Sequence, residues 1–255
     1  MTSASPPTAL GIDIGGTGMK AGIISLERGD LIGDRVRIDT PHPATPEAMA
    51  PVVVELVEAL DFTGPIGAAF PGIVQNGIIS LAANLDDSWL NVDADALLTE
   101  ALGQDVVVLN DADAAGLAEI SFGAAKDQKD VVLLITLGTG IGSALFIDGV
   151  LVPNTELGHL HLDNHHDIES WVAASARKRD ALTWDEYGLR LNRYLSHLHK
   201  IFSPSLIVLG GGGSKSFDRF ADQLNNLCPI VPAKLRNNSG IVGAAMQGAI
   251  NFGQR

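Results

Sequence analysis

The sequence has little cysteine and few charged residues, and it lacks long apolar runs. Cys228 is its single cysteine, which excludes a disulfide scaffold and a cysteine-rich zinc site. The charged share of 18% argues against disorder, and the hydrophobic share of 46% suffices for a large core. No apolar run reaches the roughly 18 residues of a membrane helix, and Met1 to Thr8 lacks the pattern of a signal peptide. These absences predict a cytoplasmic protein that does not enter the membrane.

The net charge of the chain is −13, and it is unevenly distributed. Residues 1–125 contain 4 lysines and arginines against 18 aspartates and glutamates, whereas residues 126–255 contain 13 against 12. Within residues 168–236 there are 10 basic and 6 acidic side chains, a local excess of +4. The overall charge argues against nucleic acid as a partner. The basic segment indicates either a surface for a smaller polyanion or a solvated helix face.

Both halves of the sequence begin with a similar pattern of strands. Ala9–Ile14 and Met19–Ser25 flank a glycine turn, and Leu31–Asp39 follows as a third strand. In the second half, Val131–Leu137 and Ala144–Ile147 flank another glycine turn. The repeated pattern indicates two similar α/β domains. Helices are predicted over Met49–Leu60, Asp93–Leu102, Ile168–Arg179, Trp184–Phe202 and Gly240–Ile250, and short strands over Pro65–Phe70, Val106–Leu109 and Ser205–Leu209.

Three glycine clusters each follow an apolar strand, at Gly15–Gly18, Gly138–Gly142 and Gly210–Gly213. Glycine lets backbone N–H groups approach a phosphate closely, although one cluster alone also fits an ordinary tight turn. The sequence contains no Gly-Lys pair, which excludes a Walker loop. Gly15–Gly18 leads into a strand rather than a helix, which excludes a dinucleotide fingerprint, and no Gly-x-Ser-x-Gly nucleophile elbow is present. Three clusters together favour phosphate binding on paired β-turns.

These glycine segments carry a resemblance to a known family. Asp13–Lys20, Leu137–Gly142 and Leu209–Gly213 resemble the two phosphate motifs and the nucleotide-side motif of the actin/hexokinase-like superfamily. Asn110–Glu119 and Glu156–His159 narrow the resemblance to the ROK sugar kinases, and it extends over about residues 9 to 250. The polyphosphate glucokinase branch of that family is the most similar, on the segments Ala82–Trp89, Trp171–Asp180 and Asn192–Tyr194.

The resemblance implies an α/β fold of two actin-like, ribonuclease H-like domains with a cleft between them. The smaller domain would contain residues 1–108 and about 238–255, and the larger one residues 109–237. The implied activity is phosphorylation of the 6-hydroxyl of glucose, which gives glucose 6-phosphate. Inorganic polyphosphate would be the phosphoryl donor, ATP a second donor and Mg²⁺ the cofactor. A homodimer is expected because homodimers are common in the family.

Two other functions stay open. The first is an ATP-dependent kinase for mannose, fructose or N-acetylmannosamine. The second is a non-catalytic sugar sensor or regulator. A regulator of this family that binds DNA carries a helix-turn-helix domain before the first strand, whereas only about eight residues precede it here. Asp111 and the three glycine turns argue against a silent sensor.

The expected catalytic base is Asp111, which follows the predicted strand Val106–Leu109 at the start of a helix. Taken alone, Asn110 and Asp111 also fit a helix cap. The resemblance makes Asp111 the group that removes the proton from the sugar hydroxyl, and it leaves Asp113 as a first-turn acid that favours the helix dipole. The sugar-binding residues that the resemblance implies are Asn84, Asn110, Asp111, Glu156, His159 and Glu169.

The donor-binding residues are implied in the same way. The phosphates would be held by Gly15, Gly16, Thr17, Lys20, Gly138, Thr139, Gly140, Gly211 and Gly212. Asp13 would lie near Mg²⁺, directly or through water, or else serve only as a turn residue. A linear polyanion needs a row of cations that ATP does not. The candidates for such a row are Arg177, Lys178, Arg179, Arg193 and Lys215.

The segment after Glu156–His159 departs from many ROK proteins, which hold a structural zinc ion with that histidine and three cysteines. Residues 160–169 contain no cysteine but do contain His161, His165 and His166. We expect no zinc, with the histidines serving as surface or packing residues. A histidine-rich metal site in the loop 159–166 is the alternative.

Overall fold

The computed structural model describes residues 7–225 and 227–253. It divides into two compact units: the first contains the residues up to Ala118 and those from Asn238 onward, and the second contains Glu119–Asn237. Each unit has one five-stranded mixed sheet, which confirms the expected α/β class. The domain boundaries expected at residues 108 and 238 stay predictions.

The first unit contains seven strands in the described part of the chain. They are β1 (Thr8–Asp13), β2 (Met19–Ser25), β3 (Leu31–Ile38), β4 (Ile66–Phe70), β5 (Gly72–Gln75), β6 (Ile78–Ala82) and β7 (Val106–Asn110). The sheet order is β3-β2-β1-β4-β7, with β1 to β3 antiparallel and β1, β4 and β7 parallel. Strands β4 and β7 are buried along their whole length, as parallel strands covered on both faces are. The hairpin of β5 and β6 was not predicted from the sequence.

Seven α-helices lie in the described residues, and their ends follow local signals. They are α1 (Pro46–Glu58), α2 (Ala94–Leu102), α3 (Asp111–Phe122), α4 (Glu169–Val172), α5 (Ala174–Arg179), α6 (Trp184–Phe202) and α7 (Ser239–Phe252). The Asp93 carboxylate caps α2, and Gly103 ends that helix with φ of 64°. Thr183 and Glu186 form a capping box at the start of α6. Among these helices none combines the length and the apolar character that crossing a bilayer requires.

Helix α7 packs on the sheet of the first unit through backbone contacts. A Cβ on Gly11 would overlap the carbonyl oxygen of Ile241 and lie 2.7 Å from its carbonyl carbon. A Cβ on Gly67 would overlap the carbonyl oxygen of Ala244 in the same way, and Gly248 faces the Gly67 amide. Glycines on both surfaces therefore allow the helix to approach the strands more closely than side chains would permit.

The second unit repeats the strand arrangement of the first. Its strands are β8 (Val131–Leu137), β9 (Ile141–Ile147), β10 (Val150–Val152), β11 (Leu206–Gly210) and β12 (Ile230–Pro232). The sheet order is β10-β9-β8-β11-β12, with β8 to β10 antiparallel and β8, β11 and β12 parallel. This is the order of the first sheet with corresponding strands, which confirms the internal repeat seen in the sequence.

The single helix predicted over Ile168–Arg179 is wrong. The chain forms two short helices, α4 and α5, separated at Ala173, whose ψ of 158° is extended. The helix is interrupted by a contact with a distant part of the chain: the Ser175 amide donates a hydrogen bond to the carbonyl of Gly138 at 3.1 Å. This bond turns the first residues of α5 toward the second glycine turn.

Glu119 organises the second unit near the end of α3. Its carboxylate is buried and accepts hydrogen bonds from the amides of Ala124 at 2.7 Å, Lys234 at 3.1 Å and Leu235 at 2.8 Å. A buried carboxylate with three N–H donors is well compensated for the loss of water. Glu119 therefore has a structural role in joining segments more than 100 residues apart in the chain.

Candidate active site

The first glycine turn joins β1 and β2 and places two predicted donor-site residues side by side. Asp13 and Lys20 are cross-strand partners, and Lys20 Nζ lies 3.0 Å from Asp13 Oδ2. Both side chains are partly exposed at the end of the hairpin. The Thr40 hydroxyl donates to the Gly15 carbonyl from outside the turn. The turn is thus held from outside, while Thr17 at its tip is exposed.

Asn84 lies against the same turn. A Cβ on Gly16 would be 2.9 Å from the Asn84 carbonyl oxygen, and Asn84 adopts a left-handed conformation with φ of 61°. The structure therefore brings a predicted sugar-binding residue next to predicted phosphate-binding residues within the first unit.

Asp111 is the first residue of α3, directly after β7. The Asn110 side-chain oxygen accepts from the amides of Ala112 at 2.8 Å and Asp113 at 2.9 Å, and its side-chain amide donates to the Gly72 carbonyl at 2.9 Å. The cap expected at Asn110 and Asp111 is therefore confirmed for Asn110, whose side chain bonds to the first amides of the helix. Asp111 is exposed, whereas Asp113 is buried.

Within the second unit, Glu169 connects the second glycine turn with the Glu156–His159 segment. The Ile141 amide donates to Glu169 Oε2 at 2.9 Å. A Cβ on Gly140 would overlap this oxygen, and one on Gly158 would lie 3.4 Å from it. Predicted phosphate-binding and sugar-binding residues thus lie together here as well.

The carboxyl of Glu156 and the ring of His159 have shifted pKa values. Glu156 is half-buried, and its burial raises the pKa of its carboxyl, an effect that the negative charge of Glu169 reinforces and His159 opposes. His159 Nδ1 lies 3.0 Å from Asp167 Oδ1, and this hydrogen bond raises the pKa of the ring. Asp167 was not predicted from the sequence, where its only signal is an acid eight residues after a candidate histidine.

Asp167→Asn is expected to lower the pKa of His159 toward its ordinary value of about 6.5, because the amide cannot stabilise the imidazolium as the carboxylate does. Because the pKa of His159 is higher in the folded than in the unfolded protein, the pair stabilises the fold fully at pH values below the unfolded pKa. This stabilisation is lost as the pH rises through the folded pKa. An NMR titration of the His159 ring measures the change, with His42 of the other unit as the internal control. An unchanged His159 midpoint would contradict the pairing.

The histidine-rich loop is held by ring contacts. His165 stacks on Trp171 with ring centroids 4.7 Å apart, and His161 meets His166 edge to face at 4.8 Å. Over the described part of the chain, no group of three or more histidine, cysteine or acidic side chains is arranged to hold a metal ion.

The cations of the predicted polyphosphate row differ in their surroundings. Arg179 Nε lies 2.7 Å from Asp180 Oδ1, and the guanidinium groups of Arg179 and Arg190 lower the pKa of Asp180 to about 2. Arg193 makes two hydrogen bonds to Asp163, at 2.5 and 2.7 Å. Two members of the row are therefore already paired with carboxylates. Lys178 and Lys215 are exposed, and Arg177 lies over an indole ring.

The third glycine cluster packs against the second. Gly211 has φ of 71°, and a Cβ there would lie 2.8 Å from the backbone nitrogen and oxygen of Leu137. A Cβ on Gly213 would lie 2.8 Å from Leu137 Cβ and 3.1 Å from Ala174 Cβ. Gly211–Gly213, the turn after Leu137 and the start of α5 thus form one glycine-rich surface in the second unit.

This chain is similar to known proteins over most of its length. The model of the ROK family matches residues 9–172. A polyphosphate glucokinase of Mycobacterium tuberculosis (strain ATCC 25618 / H37Rv) is 43% identical over 258 residues, covering 96% of this chain and 97% of the relative. The crystal structure of an inorganic polyphosphate/ATP-glucomannokinase from Arthrobacter sp. strain KM is 54% identical, with a TM-score of 0.89 over 96% of this chain and 99% of that one.

A more distant solved structure shares the fold. The ROK family glucokinase of Streptomyces griseus, in complex with glucose and AMPPNP, has a TM-score of 0.80 at 23% identity, over 94% of this chain and 99% of that one. Together with the closer structure, it confirms the actin-like sugar-kinase fold expected from the sequence. Because the family model covers more than half of the residues and the mycobacterial relative aligns over nearly all of them, this chain belongs to the ROK family.

Proposed function

We propose that this chain transfers a phosphoryl group from inorganic polyphosphate to the 6-hydroxyl of glucose, and that ATP serves as a second donor. The observation that carries the proposal is the 43% identity with a polyphosphate glucokinase over nearly the full length of both chains. The glycine turns and polar side chains described above supply groups suited to this reaction.

The chemical step needs a base for the sugar hydroxyl and a site for the donor's charge. O6 of glucose attacks the terminal phosphorus, and the bond from that phosphorus to the bridging oxygen breaks. The products are glucose 6-phosphate and a polyphosphate shorter by one phosphate, or ADP when ATP is the donor. Asp111 takes the O6 proton, and its exposure at the start of α3 supports this role.

The sugar hydroxyls are assigned to side chains that can both donate and accept. Glu156 and His159 are the principal candidates in the second unit, and the ionised Glu156 would accept from a hydroxyl. Oε2 of Glu169 accepts a hydrogen bond from the Ile141 amide, so the other carboxylate oxygen, Oε1, would bind the sugar. Asn84 and Asn110 are the candidates in the first unit, and Asn110 also serves as a helix cap.

The donor phosphates are assigned to backbone amides of the glycine turns and to Lys20. Phosphoryl-transfer enzymes use a divalent cation, and Asp13 fits a place beside Mg²⁺. Oδ2 of Asp13 forms an ion pair with Lys20. Oδ1 of Asp13 lies next to Gly240, and a Cβ on Gly240 would be 3.1 Å from that oxygen. Since Mg²⁺ accepts one or two carboxylates with phosphates and waters as further ligands, one carboxylate oxygen suffices. When bound, the ion neutralises charge on the phosphate oxygens.

Mannose is a second candidate acceptor. The solved structure that is 54% identical to this chain belongs to an enzyme described as a glucomannokinase, which favours mannose over fructose and N-acetylmannosamine. A homodimer remains our expectation from the family resemblance.

The proposal is tested by a donor comparison with purified protein, Mg²⁺ and glucose. Polyphosphate and ATP are supplied at matched phosphoryl concentration, and glucose 6-phosphate is measured with a coupled dehydrogenase. We expect product with both donors and faster turnover with polyphosphate. Product with ATP alone would contradict the polyphosphate part of the proposal, and no product with either donor would contradict the kinase function. Replacing glucose with mannose in the same assay tests the second acceptor.

A further inference from the structure

Two arginines from different elements lie over the same indole ring in the second unit. Trp184 is the first residue of α6, and the guanidinium carbon of Arg177, from α5, is 3.7 Å from the centroid of its ring. The guanidinium carbon of Arg219, from the 3₁₀ segment Gly212–Arg219, is 4.7 Å from the same centroid. Phe220 stacks beside Trp184 at 6.1 Å and Tyr187 meets it edge to face. The indole is therefore held in place and orients both cations.

The two guanidinium groups have no acid partner. Each lies within 5 Å of one centroid, so the two guanidinium carbons are less than about 9 Å apart, a separation close to one Debye length at physiological salt. In the described residues, no carboxylate lies within ion-pairing distance of Arg177 or Arg219, nor of the neighbouring Lys178 and Lys215. The buried Nε of Arg177 also has no hydrogen-bond partner. Like charges held together without an acid favour an anionic ligand.

The two segments that carry these cations begin beside the second glycine turn. The amide and hydroxyl of Ser175, at the start of α5, bond to the carbonyls of Gly138 and Thr139 at 3.1 and 2.5 Å. Gly213, at the start of the other segment, packs on Leu137 and Ala174. Both cation-bearing segments therefore begin at the proposed phosphate turn, and they meet again at Trp184.

We propose that Arg177, Lys178, Lys215 and Arg219 form a subsite for the phosphates of a linear polyphosphate beyond its reacting end. This inference rests on the proposed function, which makes polyphosphate the donor. It changes the row expected from the sequence, because Arg179 and Arg193 are paired with Asp180 and Asp163, whereas Arg219, which was not in that row, is unpaired. ATP has only three phosphates, so we expect the cations farthest from the reacting end to contact a long polyphosphate and not ATP.

Arg177→Gln and Arg219→Gln, singly and together, test the subsite. We expect each single variant to raise KM for long-chain polyphosphate roughly tenfold, the usual size of one lost charge-assisted contact. KM for ATP, KM for glucose and kcat should change little. The logarithmic dependence of polyphosphate affinity on salt should become shallower by about one for each lost cation. A merely structural role would change neither the donor preference nor this slope.

Arg190→Gln is the matched control. Arg190 also lies over an indole, that of Trp171 at 5.3 Å, but it is paired with Asp180 at 2.7 Å. Its replacement should leave the ratio of the two donors' KM values unchanged. An unchanged polyphosphate KM in the double variant, or an equal rise for polyphosphate and ATP, would overturn the subsite.

Binding calorimetry with long-chain polyphosphate alone separates this inference from the proposed function. If the wild-type protein forms no glucose 6-phosphate, the proposed function fails, but the subsite still predicts weaker polyphosphate binding by the double variant than by the wild type and Arg190→Gln. Equal binding by all three proteins would overturn the subsite.

Discussion

Asp111→Asn is expected to lower kcat by about 10²–10⁴, the usual contribution of positioned proton transfer. Asparagine has nearly the same shape but cannot take the proton from the sugar hydroxyl. The helix should be unaffected because its cap is the Asn110 side chain. Steady-state kinetics with glucose and polyphosphate measure the loss, and calorimetry should show that the Kd for glucose changes little.

Asp113→Asn is the matched control in the same helical turn. Asp113 is buried, whereas Asp111 is exposed, so this change should alter stability more than turnover. The Asp111 assignment would be overturned by an Asp111→Asn variant that retains full kcat. It would also fail if the two variants lost turnover equally while both remained folded.

Gly67→Ala should destabilise the first unit by more than about 3 kcal/mol, above the ordinary range for overpacking a core. The new methyl group would overlap the carbonyl oxygen of Ala244 and lie 2.7 Å from its carbonyl carbon. Both obstacles are helix backbone, which cannot change rotamer as a side chain can. Because domains are stable by only about 5–15 kcal/mol, a large fraction of the stability would be lost. Urea unfolding followed by circular dichroism measures the change.

Gly210→Ala supplies the comparison at the corresponding strand of the second unit. A Cβ there would meet Thr136 Cγ2 at 3.5 Å and Ala233 Cβ at 4.0 Å, which are ordinary van der Waals distances. The midpoint of unfolding should therefore stay close to that of the wild type, or rise slightly as the unfolded chain loses freedom. Equal midpoints for Gly67→Ala and the wild type would show that α7 does not pack on β4 as described.

Elements whose ends are marked by local residues could be predicted well. Helix α2 lies between its cap Asp93 and the left-handed Gly103, and α6 begins after the Thr183–Glu186 capping box. In such places the determining contacts are within four residues of each other, so the sequence alone contains them. The hairpins around the first two glycine clusters were predictable for the same reason.

Elements determined by distant contacts could not be predicted in this way. The break at Ala173 depends on a hydrogen bond from Ser175 to Gly138, 37 residues earlier. A helical pattern over 168–179 contains no sign of that partner. Here a tertiary contact determines the backbone conformation against the helix propensity of the segment, as is common in proteins.

The candidate site likewise has features that could be predicted from the sequence and features that could not. The glycine turns and the Glu156–His159 segment were recognisable as motifs, but the partners of the basic residues were not. Arg193 is paired with Asp163, 30 residues earlier, while Arg177 and Arg219 share Trp184 without an acid. A net charge counted along the sequence cannot distinguish a neutralised arginine from an unpaired one. Which of these arginines are paired with carboxylates could therefore be learned only from the structure.

Direct transfer of a phosphoryl group from polyphosphate to glucose can be followed by ³¹P NMR of the products. Protein, Mg²⁺, glucose and long-chain polyphosphate are incubated without any nucleotide. We expect a growing phosphomonoester signal with the coupling of glucose 6-phosphate, and no matching release of inorganic phosphate. Release of inorganic phosphate alone, or no change in the polyphosphate signals, would contradict direct transfer.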